Sequence, residues 1–572
     1  MLLRALRTPA RRLCSQAGTI AVDTAGLGTQ RHATAAHAHS DFPSGLLQEL
    51  SHHIRFRGPL SVSEFMSMAL THPVHGYYMR RDVFGQRGDF VTSPEISQVF
   101  GELIGVWCVA CWESLGRPER LHLVEAGPGR GTLMADVLRS TAPFGAFQRA
   151  LSLHMLEVSP FMRRAQREAV LQCGAPQQNQ KKGVDEKADK KADETDEETL
   201  TLSLLGSPDH ITQLTWHSDL KSMLEYTAEA PSGDLGDSDV NTNSDVGTAQ
   251  AAQAAQAAPL LLIGHEFLDA LPIHQFVRTP GGWRERLVDL RSGVESAPGQ
   301  GGSHAEGGSH AEGEGSEGGC QTRSGAPAEG GAPAVRVGNG CVDADKPTTR
   351  DLDETSRDMP RDLPRDLPRD LPRDLPRDLE EDSRELRFVL APRATPASQL
   401  LAARLPPHSD EAEVSATAQG FMEELAAALT ARRGAALLID YGSDAPPTDS
   451  LRGIREHRFV HPLHAPGETD LSADVDFGAL RRLLQREGYI EQNGRGASLH
   501  CPPLVEQRYF LAAMGIEQRV NKLLARAASD DVRRDIIASV TRLVESPGMG
   551  STFKAFSIAH NSIGQSVPGF NS

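Results

Sequence analysis

The chain has 572 residues, of which 59 are Lys or Arg and 76 are Asp or Glu, and its formal net charge is −17 at pH 7. This diffuse acidic balance argues against nucleic-acid binding as the main function, because phosphate contacts need clustered Lys and Arg side chains. No stretch approaches the roughly 18 consecutive apolar residues that a membrane span needs. The composition therefore favours a globular protein with neither a nucleic-acid partner nor a membrane span.

The N-terminal segment is rich in arginine and contains no acidic residue before Asp23. An amphipathic, Arg-rich and acid-poor segment is typical of a mitochondrial transit peptide, and a disordered basic tail is the alternative. We predict that residues 1–40 are a transit peptide and that the protein is imported into mitochondria. Four arginines of this segment lie among leucines: Arg4, Arg7, Arg11 and Arg12.

Two long insertions interrupt the globular sequence, and the first has two parts. Residues 175–209 are rich in Lys, Asp and Glu, and residues 227–257 contain Gly, Ser, Asp and Ala-Gln repeats. Residues 291–383 begin Gly-rich and end in Arg-Asp-Leu-Pro repeats. Such compositions cannot bury enough apolar surface to fold, so we predict that all three segments are disordered. A docking role for the repeat is the alternative to a solvated linker.

Apolar runs alternate with helix-like stretches in the rest of the chain. The runs Leu121–Glu125, Leu151–Glu157, Leu260–Ile263 and Ala435–Asp440 are typical of buried strands. Their alternation with helices indicates an α/β fold, in which a mainly parallel, Rossmann-like sheet has helices on both faces. An N-terminal helical extension and an added lobe are predicted around this core.

Cys108 and Cys111 form a C-x-x-C pair in an apolar, helix-like run. A zinc site of this type needs a second pair, which the sequence lacks. We therefore interpret the two residues as buried core cysteines and predict no metal site.

A glycine-rich loop follows the first of these strands. Glu125, Gly127, Gly129 and Gly131 form the pattern E-x-G-x-G-x-G. The dinucleotide fingerprint G-x-G-x-x-G would need a glycine where Thr132 stands, which disfavours an NAD-linked oxidoreductase. The pattern resembles the first motif of class I methyltransferases instead. It predicts that these four residues bind S-adenosyl-L-methionine.

Acidic residues follow the next two strands. Glu157 ends the second strand, where a carboxylate can accept hydrogen bonds from both ribose hydroxyls. Asp219 follows a short structured segment, at a position that suits the adenine amino group in methyltransferase folds. A solvent-exposed Glu and a surface-loop Asp are the respective alternatives.

Two carboxyl groups, Glu266 and Asp269, follow the strand Leu260–Ile263. In methyltransferases this segment lies beside the transferred methyl group. Two carboxylates three residues apart suit a guanidinium, because they can pair with its planar fork. We predict that both residues are catalytic and position an acceptor arginine. A capping acid next to a solvated one is the alternative.

In this order, the motifs resemble the MidA family, mitochondrial arginine methyltransferases that assist assembly of respiratory complex I. The resemblance covers nearly all of the globular sequence and none of the insertions. The Gly88–Glu95 stretch is especially specific, and in this family it helps to enclose the cofactor, which implies that Thr92, Ser93, Pro94 and Glu95 bind it. The matching motifs include Gly58–Phe65, His72–Tyr78, Gly88–Glu95, His265–Pro272, Leu438–Gly442 and Gly550–Lys554.

The resemblance implies symmetric dimethylation of a protein arginine, with a subunit of the complex I peripheral arm as the substrate. A non-catalytic assembly scaffold that keeps the fold is the alternative. Asp474 stands where relatives often have His, which leaves its role open.

The predicted segments are the transit peptide 1–40, the N-terminal helices and first half of the core 41–174, the insertion 175–209, the core segment 210–226, the insertion 227–257, the core segment with the substrate loop 258–290, the insertion 291–383, the rest of the core with the added lobe 384–560, and the tail 561–572.

Overall fold

Ten strands form the main β-sheet of the described part of this computed structural model. Contacts divide the chain into one unit of residues 1–294 and 366–572 and another of residues 295–365, and all described residues belong to the first. The structure describes residues 45–80, 92–174, 199–203, 211–229, 257–291, 385–401, 404–406, 409–491, 496–564 and 566–570.

The elements are numbered in chain order. The strands are β1 Leu60–Ser61, β2 Leu121–Ala126, β3 Leu151–Leu156, β4 Thr199–Ser203, β5 Ile211–His217, β6 Leu260–His265, β7 His274–Thr279, β8 Gly282–Leu290, β9 Leu386–Leu390, β10 Glu411–Val414, β11 Gly434–Ser443, β12 Arg452–Arg455, β13 Arg458–Val460, β14 Asp470–Ser472, β15 Val475–Asp476, β16 Leu499–His500, β17 Val505–Glu506 and β18 Phe553–His560. The helices are α1 Gly45–Arg57, α2 Val62–Thr71, α3 Tyr77–Arg80, α4 Ser93–Ile96, α5 Gln98–Ser114, α6 Thr132–Thr141, α7 Gly145–Ala150, α8 Pro160–Gly174, α9 Leu220–Glu229, α10 Pro396–Leu401, α11 Ala416–Arg432, α12 Phe477–Arg486, α13 Gln507–Ala513, α14 Ile516–Arg526, α15 Asp530–Val544 and α16 Met549–Thr552, with a 3₁₀ turn at Asn561–Ile563.

The main sheet has the order β16-β18-β11-β6-β2-β3-β5-β4, with β15 beside β11 and β17 beside β18. The neighbouring strands β11, β6, β2, β3 and β5 run parallel. Strands β18 and β4 run antiparallel to β11 and β5, respectively. The predicted α/β fold with a mainly parallel sheet is confirmed.

Both faces of this sheet are buried, which explains why its strands read as continuous apolar runs. In β2, Leu123 packs into the cluster that includes Trp107 of α5. The next residue, Val124, packs into the cluster that includes Met422 of α11 and Leu480 of α12. Successive side chains of a strand point to opposite faces, so helices cover both sides, as predicted.

An added lobe lies against the N-terminal helices. Strands β1, β8, β7 and β10 with β9 form a five-stranded antiparallel sheet, and α1 and α2 share a hydrophobic cluster with it that extends to Ile273 and Ala473. A capping box starts α2: the Ser61 amide donates to Glu64 Oε2 at 2.9 Å, and the Glu64 amide donates to Ser61 Oγ at 3.1 Å. The lobe thereby places the N-terminal helices near the loop that follows β6.

The structure corrects the predicted limits of the first insertion. Residues Thr199–Ser203, predicted to be disordered, form strand β4 and pair antiparallel with β5. Their Thr-Leu-Thr-Leu alternation directs Leu200 and Leu202 towards one face of the sheet, where Leu202 is buried. The charged residues before this run masked that alternation in the composition. Helix α9 also continues to Glu229, beyond the predicted start of the second part at 227.

The predicted insertion 291–383 joins the two strands of a hairpin. Strands β8 and β9 pair antiparallel, and the Arg291 amide donates to Glu385 O at 2.9 Å. Because its two ends meet on the lobe, a long connection there adds little loop-closure cost. Apart from Arg291 this segment lies outside the described residues, as does the predicted transit peptide.

Two other sequence interpretations concern the described helices. Cys108 and Cys111 are both fully buried in α5, as predicted for core cysteines. Among the described residues, no helix has both the length and the apolar character needed to cross a membrane.

Candidate active site

The order of the parallel strands reverses between β2 and β6 in the main sheet. Ligands of open α/β sheets bind outside the carboxyl ends of the strands at such a reversal. The loops after β2, β3, β5 and β6 all carry predicted site residues, and these strands run parallel, so the loops lie at one edge. The fold thus gathers residues that are far apart in the sequence.

The glycine loop connects β2 to α6 with all three glycines in the left-handed backbone region. Gly127, Gly129 and Gly131 have φ angles of 64°, 52° and 81°, which other residue types adopt only at a cost. A Cβ atom on Gly127 would lie 2.9 Å from the Phe267 ring, and one on Gly131 would lie 3.0 Å from Gln166 Cα. The glycines therefore allow both the path of the loop and its close packing.

Glu125, predicted to bind the cofactor, directs its carboxyl group towards the start of α6. The residue is 3% exposed, and the backbone amide of Met134 forms a hydrogen bond with it. Burial raises the pKa of Glu125 to about 8, which the Met134 amide opposes and nearby Asp136 reinforces. Glu125 thus ties β2 to α6 on either side of the glycine loop, and its contact with the cofactor stays a prediction.

We expect the Glu125→Gln protein to depend less on pH for its stability. The folded protein keeps the proton of Glu125 up to a pKa of about 8, whereas the unfolded chain releases it near the ordinary value of 4.5. The wild-type free energy of unfolding therefore falls as pH rises through this window, by up to about 1.4 kcal/mol per pH unit. Urea denaturation at about pH 5 and about pH 8 measures the difference. An equal loss of stability in both proteins contradicts the prediction.

Glu157 lies directly after β3 and is half-buried. Its Oε1 accepts the Ser159 amide at 2.8 Å, and its Oε2 accepts Gln166 Nε2 at 3.0 Å. Burial raises the pKa of Glu157, and these two donors partly offset that effect. The Val158 amide is a third donor to Glu157, so about one of the roughly four acceptor positions of the carboxylate remains for the predicted ribose hydroxyls.

Gln166 of α8 is a site residue that the sequence analysis missed. It is fully buried, and its Nε2 donates both to Glu157 Oε2 and, at 2.7 Å, to Gly129 O. Its Oε1 accepts the indole N–H of Trp216 at 2.8 Å. Gln166 therefore locks the glycine loop to the predicted ribose acid. A polar residue on the apolar face of a predicted helix is the one signal that could have found it.

Asp219 follows β5 and is exposed. Its Oδ1 accepts the Ser222 amide at 2.7 Å, so the carboxylate caps the N-terminus of α9. This amide lowers the pKa of Asp219 and keeps it ionised. The Glu157 amide donates to His217 O at 2.9 Å, which places the two acid-bearing loops side by side. The adenine contact of Asp219 stays a prediction.

The segment Thr92–Glu95 lies between the glycine loop and Glu266. Thr92 precedes α4, and both Ser93 and Pro94 are buried. Glu95 Oε1 lies 3.7 Å from Arg130 Nη1 of the glycine loop, and the Ser93 amide forms a hydrogen bond with Glu266. This position agrees with a segment that encloses the cofactor, while the individual contacts of the four residues stay predictions. Residues 88–91 of the same motif lie outside the described residues.

Glu266 has the most strained environment of the predicted site residues. Its φ angle is 50°, a left-handed value that is uncommon for a residue other than glycine. The side chain is 11% exposed, and Oε1 is buried without a hydrogen-bond partner among the described residues. Burial raises its pKa well above the ordinary value, and Asp269 and Asp440 reinforce the shift. Strain and an unmatched carboxyl oxygen together are typical of a functional residue.

Asp440 holds the turn that carries Asp269. It follows Ile439, the last residue of β11 that pairs with β6. Asp440 Oδ2 accepts the amides of Phe267, Leu268 and Asp269 at 3.0, 2.8 and 3.3 Å. This single carboxylate oxygen fixes the turn between Glu266 and Asp269. Burial raises the pKa of Asp269 to about 6, although Arg452 acts in the opposite direction. In the sequence, Asp440 was recognised only as the end of a buried strand.

The family model described as "Putative S-adenosyl-L-methionine-dependent methyltransferase" matches residues 103–493. The chain belongs to this methyltransferase family. The mitochondrial protein arginine methyltransferase NDUFAF7 of Rattus norvegicus is 31% identical over 523 residues, which cover 91% of this chain and 86% of the relative. The protein of the same name from Homo sapiens is 30% identical over 516 residues, which cover 90% and 83%. The family resemblance inferred from the motifs is confirmed.

A solved structure shows the same methyltransferase fold. A protein from Burkholderia thailandensis, crystallised with bound S-adenosyl-homocysteine, superimposes with a TM-score of 0.53 at 18% sequence identity. The match covers 92% of this chain and 94% of the bacterial chain. Together with the family match, it supports the predicted cofactor, S-adenosyl-L-methionine.

The described residues fit this cofactor. Its ribose hydroxyls and amino groups are hydrogen-bond donors, and the loops after β3 and β5 present the carboxylates of Glu157 and Asp219. A buried carboxyl oxygen of Glu125 and the buried Ser93 Oγ have no hydrogen-bond partner among the described residues. Native structures rarely leave such buried atoms without a hydrogen-bond partner. These two atoms of the methyltransferase are therefore free to form hydrogen bonds with a cofactor bound at the glycine loop.

Tyr78 of the N-terminal extension lies close to the acids of the methyltransferase site. Tyr78 O–H donates to Asp470 Oδ1 at 2.8 Å, and Ser159 Oγ donates to Tyr78 O at 2.8 Å. Asp269 is among the charges that raise the pKa of Tyr78, after burial and Asp470. The spacing of the core strands in the sequence cannot reveal this contact, because Tyr78 comes from the N-terminal extension. The His72–Tyr78 motif marked the segment without showing its role.

Asp474 forms an ion pair with Arg452 of β12. Arg452 Nη1 donates to Asp474 Oδ1 at 2.7 Å, and Nε donates to Ser472 Oγ at 3.1 Å. The guanidinium carbon lies 5.5 Å from the centre of the Tyr441 ring. Asp474 therefore fixes the cation that opposes the rise in the pKa of Asp269. No spacing in the sequence connects these residues.

Proposed function

We propose that this chain methylates arginine side chains of a protein to the symmetric dimethyl form, and that the protein is a peripheral-arm subunit of complex I in the mitochondrial matrix. The observation that carries the arginine assignment is the pair of buried carboxyl groups, Glu266 and Asp269, on one turn after β6. Relatives named as mitochondrial protein arginine methyltransferases support it. The complex I substrate and the product rest on the resemblance to the MidA family.

The two carboxyl groups suit a cationic, planar acceptor. A guanidinium has five N–H donors in a fixed fork, which matches carboxylate oxygens. Asp440 fixes the turn between Glu266 and Asp269 through three backbone amides. The carboxyl oxygens are therefore in place before the acceptor arginine binds. Such positioning raises the rate because the reacting groups need not be oriented again at each turnover.

Charge also favours a guanidinium at this position. Burial and neighbouring acids raise the pKa of Glu266, so without a cation its ionised form is disfavoured. An arriving guanidinium supplies the missing positive charge and lowers that pKa again. Asp269 already has the cation of Arg452 near it. Recognition of the acceptor and ionisation of Glu266 are thus coupled.

Proton transfer completes the role of Glu266. When bound, S-adenosyl-L-methionine supplies an electrophilic methyl group on a sulfonium. The acceptor nitrogen forms a bond to that methyl carbon while the carbon–sulfur bond breaks, and the nitrogen loses one proton. Glu266, whose Oε1 has no other hydrogen-bond partner among the described residues, accepts this proton. Asp269 stays paired with the remaining N–H groups of the guanidinium.

Room for a polypeptide acceptor exists beside this turn. A cavity of about 430 Å³ is lined by Leu268, Val414, Ala473, Asp474 and Leu480, together with other residues of the lobe and of α11 and α12. Leu268 belongs to the turn itself, and the Ala473 amide donates to Asp269 O at 3.0 Å. The cavity therefore shares a wall with the acids and can accept side chains that flank the acceptor arginine.

Isotope-labelled methyl transfer tests the proposal. The purified protein is incubated with methyl-labelled S-adenosyl-L-methionine and an extract of mitochondria that lack this chain. We expect label in a peripheral-arm subunit of complex I and, after hydrolysis, in symmetric dimethylarginine. Label in lysine, in asymmetric dimethylarginine, or in no protein contradicts the corresponding part of the proposal.

A further inference from the structure

His265, the last residue of β6, lies in the motif that carries the acids but has no role in the function proposed above. Its ring is 7% exposed and is enclosed by two aromatic rings. Phe553 stacks on it with centroids 5.8 Å apart and planes 6° apart, and Phe100 meets it edge-on at 4.8 Å. Packing therefore fixes the plane and the direction of the imidazole.

The imidazole points one nitrogen at the predicted proton acceptor. His265 Nε2 lies 3.6 Å from Glu266 Oε1. Both atoms are buried, and neither has a hydrogen-bond partner among the described residues. Two unmatched polar atoms that face each other just beyond hydrogen-bond distance are unusual in a native core. A contraction of a few tenths of an ångström would satisfy both.

The charge states of the two side chains define which of them donates. Burial lowers the pKa of His265 to about 3, so its ring is neutral and carries a single N–H. The titratable groups that face Glu266 are the carboxyl groups of Asp269 on the same loop, Asp440 of β11 and Glu95 of α4, together with the phenol of Tyr441. Neither these acids nor Tyr441 forms a hydrogen bond with Glu266 Oε1, whereas a neutral imidazole with its proton on Nε2 faces that oxygen and can donate to it.

We propose that His265 is a positioning residue for methyl transfer, whose Nε2–H donates to Glu266 Oε1 when the acceptor guanidinium draws Glu266 into its ionised form. This inference rests on the proposed role of Glu266. The bond leaves the remaining lone pairs of the carboxylate for the acceptor nitrogen and fixes their direction. It also stabilises the ionised carboxylate, which is the form that takes the proton.

Three substitutions separate this role from simple packing. His265→Phe keeps a ring between Phe100 and Phe553 but has no donor. His265→Gln places an amide N–H near the position of Nε2, whereas the shorter His265→Asn cannot reach Glu266. We expect His265→Phe and His265→Asn to lower kcat by about 10–100-fold, and His265→Gln to restore most of that rate.

Measurements besides the rate distinguish the outcomes. All three variants should bind S-adenosyl-L-methionine with unchanged affinity by calorimetry and unfold near the wild-type temperature. The pH at which kcat is half-maximal on its acidic side should rise in His265→Phe, because the ionised form of Glu266 has lost a donor. Nitrogen NMR of labelled histidine should show the Nε2–H tautomer at His265 in the protein without substrate.

Several results overturn the inference. They are a wild-type rate and pH profile in His265→Phe, an equal loss in His265→Gln and His265→Phe, or the Nδ1–H tautomer at His265. Failure of the proposed function has a different signature, since the wild-type protein then labels no arginine at all. The NMR measurement is made on the wild-type protein and does not depend on activity, so it decides the tautomer even if a variant folds poorly.

Discussion

The Glu266→Gln protein should bind S-adenosyl-L-methionine with wild-type affinity but transfer methyl groups at least about 100-fold more slowly. Glutamine has the same size and fits the same backbone, so the turn held by Asp440 is kept. The glutamine amide cannot accept the proton of the acceptor nitrogen, and it has no negative charge to pair with an acceptor guanidinium. Single-turnover transfer to arginine measures the rate constant of the methyl-transfer step, and calorimetry measures cofactor affinity.

A matched control is Glu424→Gln on α11, where the side chain is exposed to solvent. It should change neither quantity. Unchanged methyl transfer in Glu266→Gln would reject the assigned role of Glu266. Loss of cofactor binding in this variant would instead place Glu266 in the cofactor site.

The Gly129→Val protein should lose cofactor binding, with a dissociation constant raised at least about 100-fold. The φ angle of Gly129 is 52°, and a β-branched residue is a genuine outlier there. The substitution also adds bulk to the loop, whose carbonyl is held by Gln166 Nε2. Calorimetry with S-adenosyl-L-methionine measures the effect.

The control for this loop is Gly420→Val in the middle of α11. A Cβ atom there would meet no atom within 4 Å, and valine suits a helix at least as well as glycine. This variant should bind the cofactor normally. If Gly129→Val abolishes binding yet still supports complex I assembly in cells, the scaffold alternative is correct and methylation is dispensable.

Local patterns predicted the parts of the fold that depend on neighbouring residues. The capping box at Ser61 and Glu64 joins residues only three apart, and the glycine loop after β2 was recognised from the spacing of its glycines. Strand β4 was missed because its four alternating Thr and Leu residues adjoin a charged segment, and the composition of that segment dominated the interpretation. Pairing with β5 decides its structure.

Long-range contacts decided the rest of the site. Gln166 comes from helix α8, Tyr78 from the N-terminal extension and Arg452 from strand β12. Each of them meets the site only after the chain has folded. No spacing rule links Asp474 to Asp269, yet Arg452 connects their electrostatics. Such residues are invisible to motif reading because their partners are distant in the sequence.

The sequence by itself determined the α/β class, the glycine loop and the family, because hydrophobic periodicity and turn chemistry are local properties of the chain. It also showed which acids end which strands. Only the tertiary structure decided how those acids differ: Glu125 bonds to a helix amide, Asp219 caps another helix, and Glu266 keeps a buried oxygen without a partner. Burial and pairing set the charge state of a carboxyl group, and both depend on residues that folding brings together from across the chain.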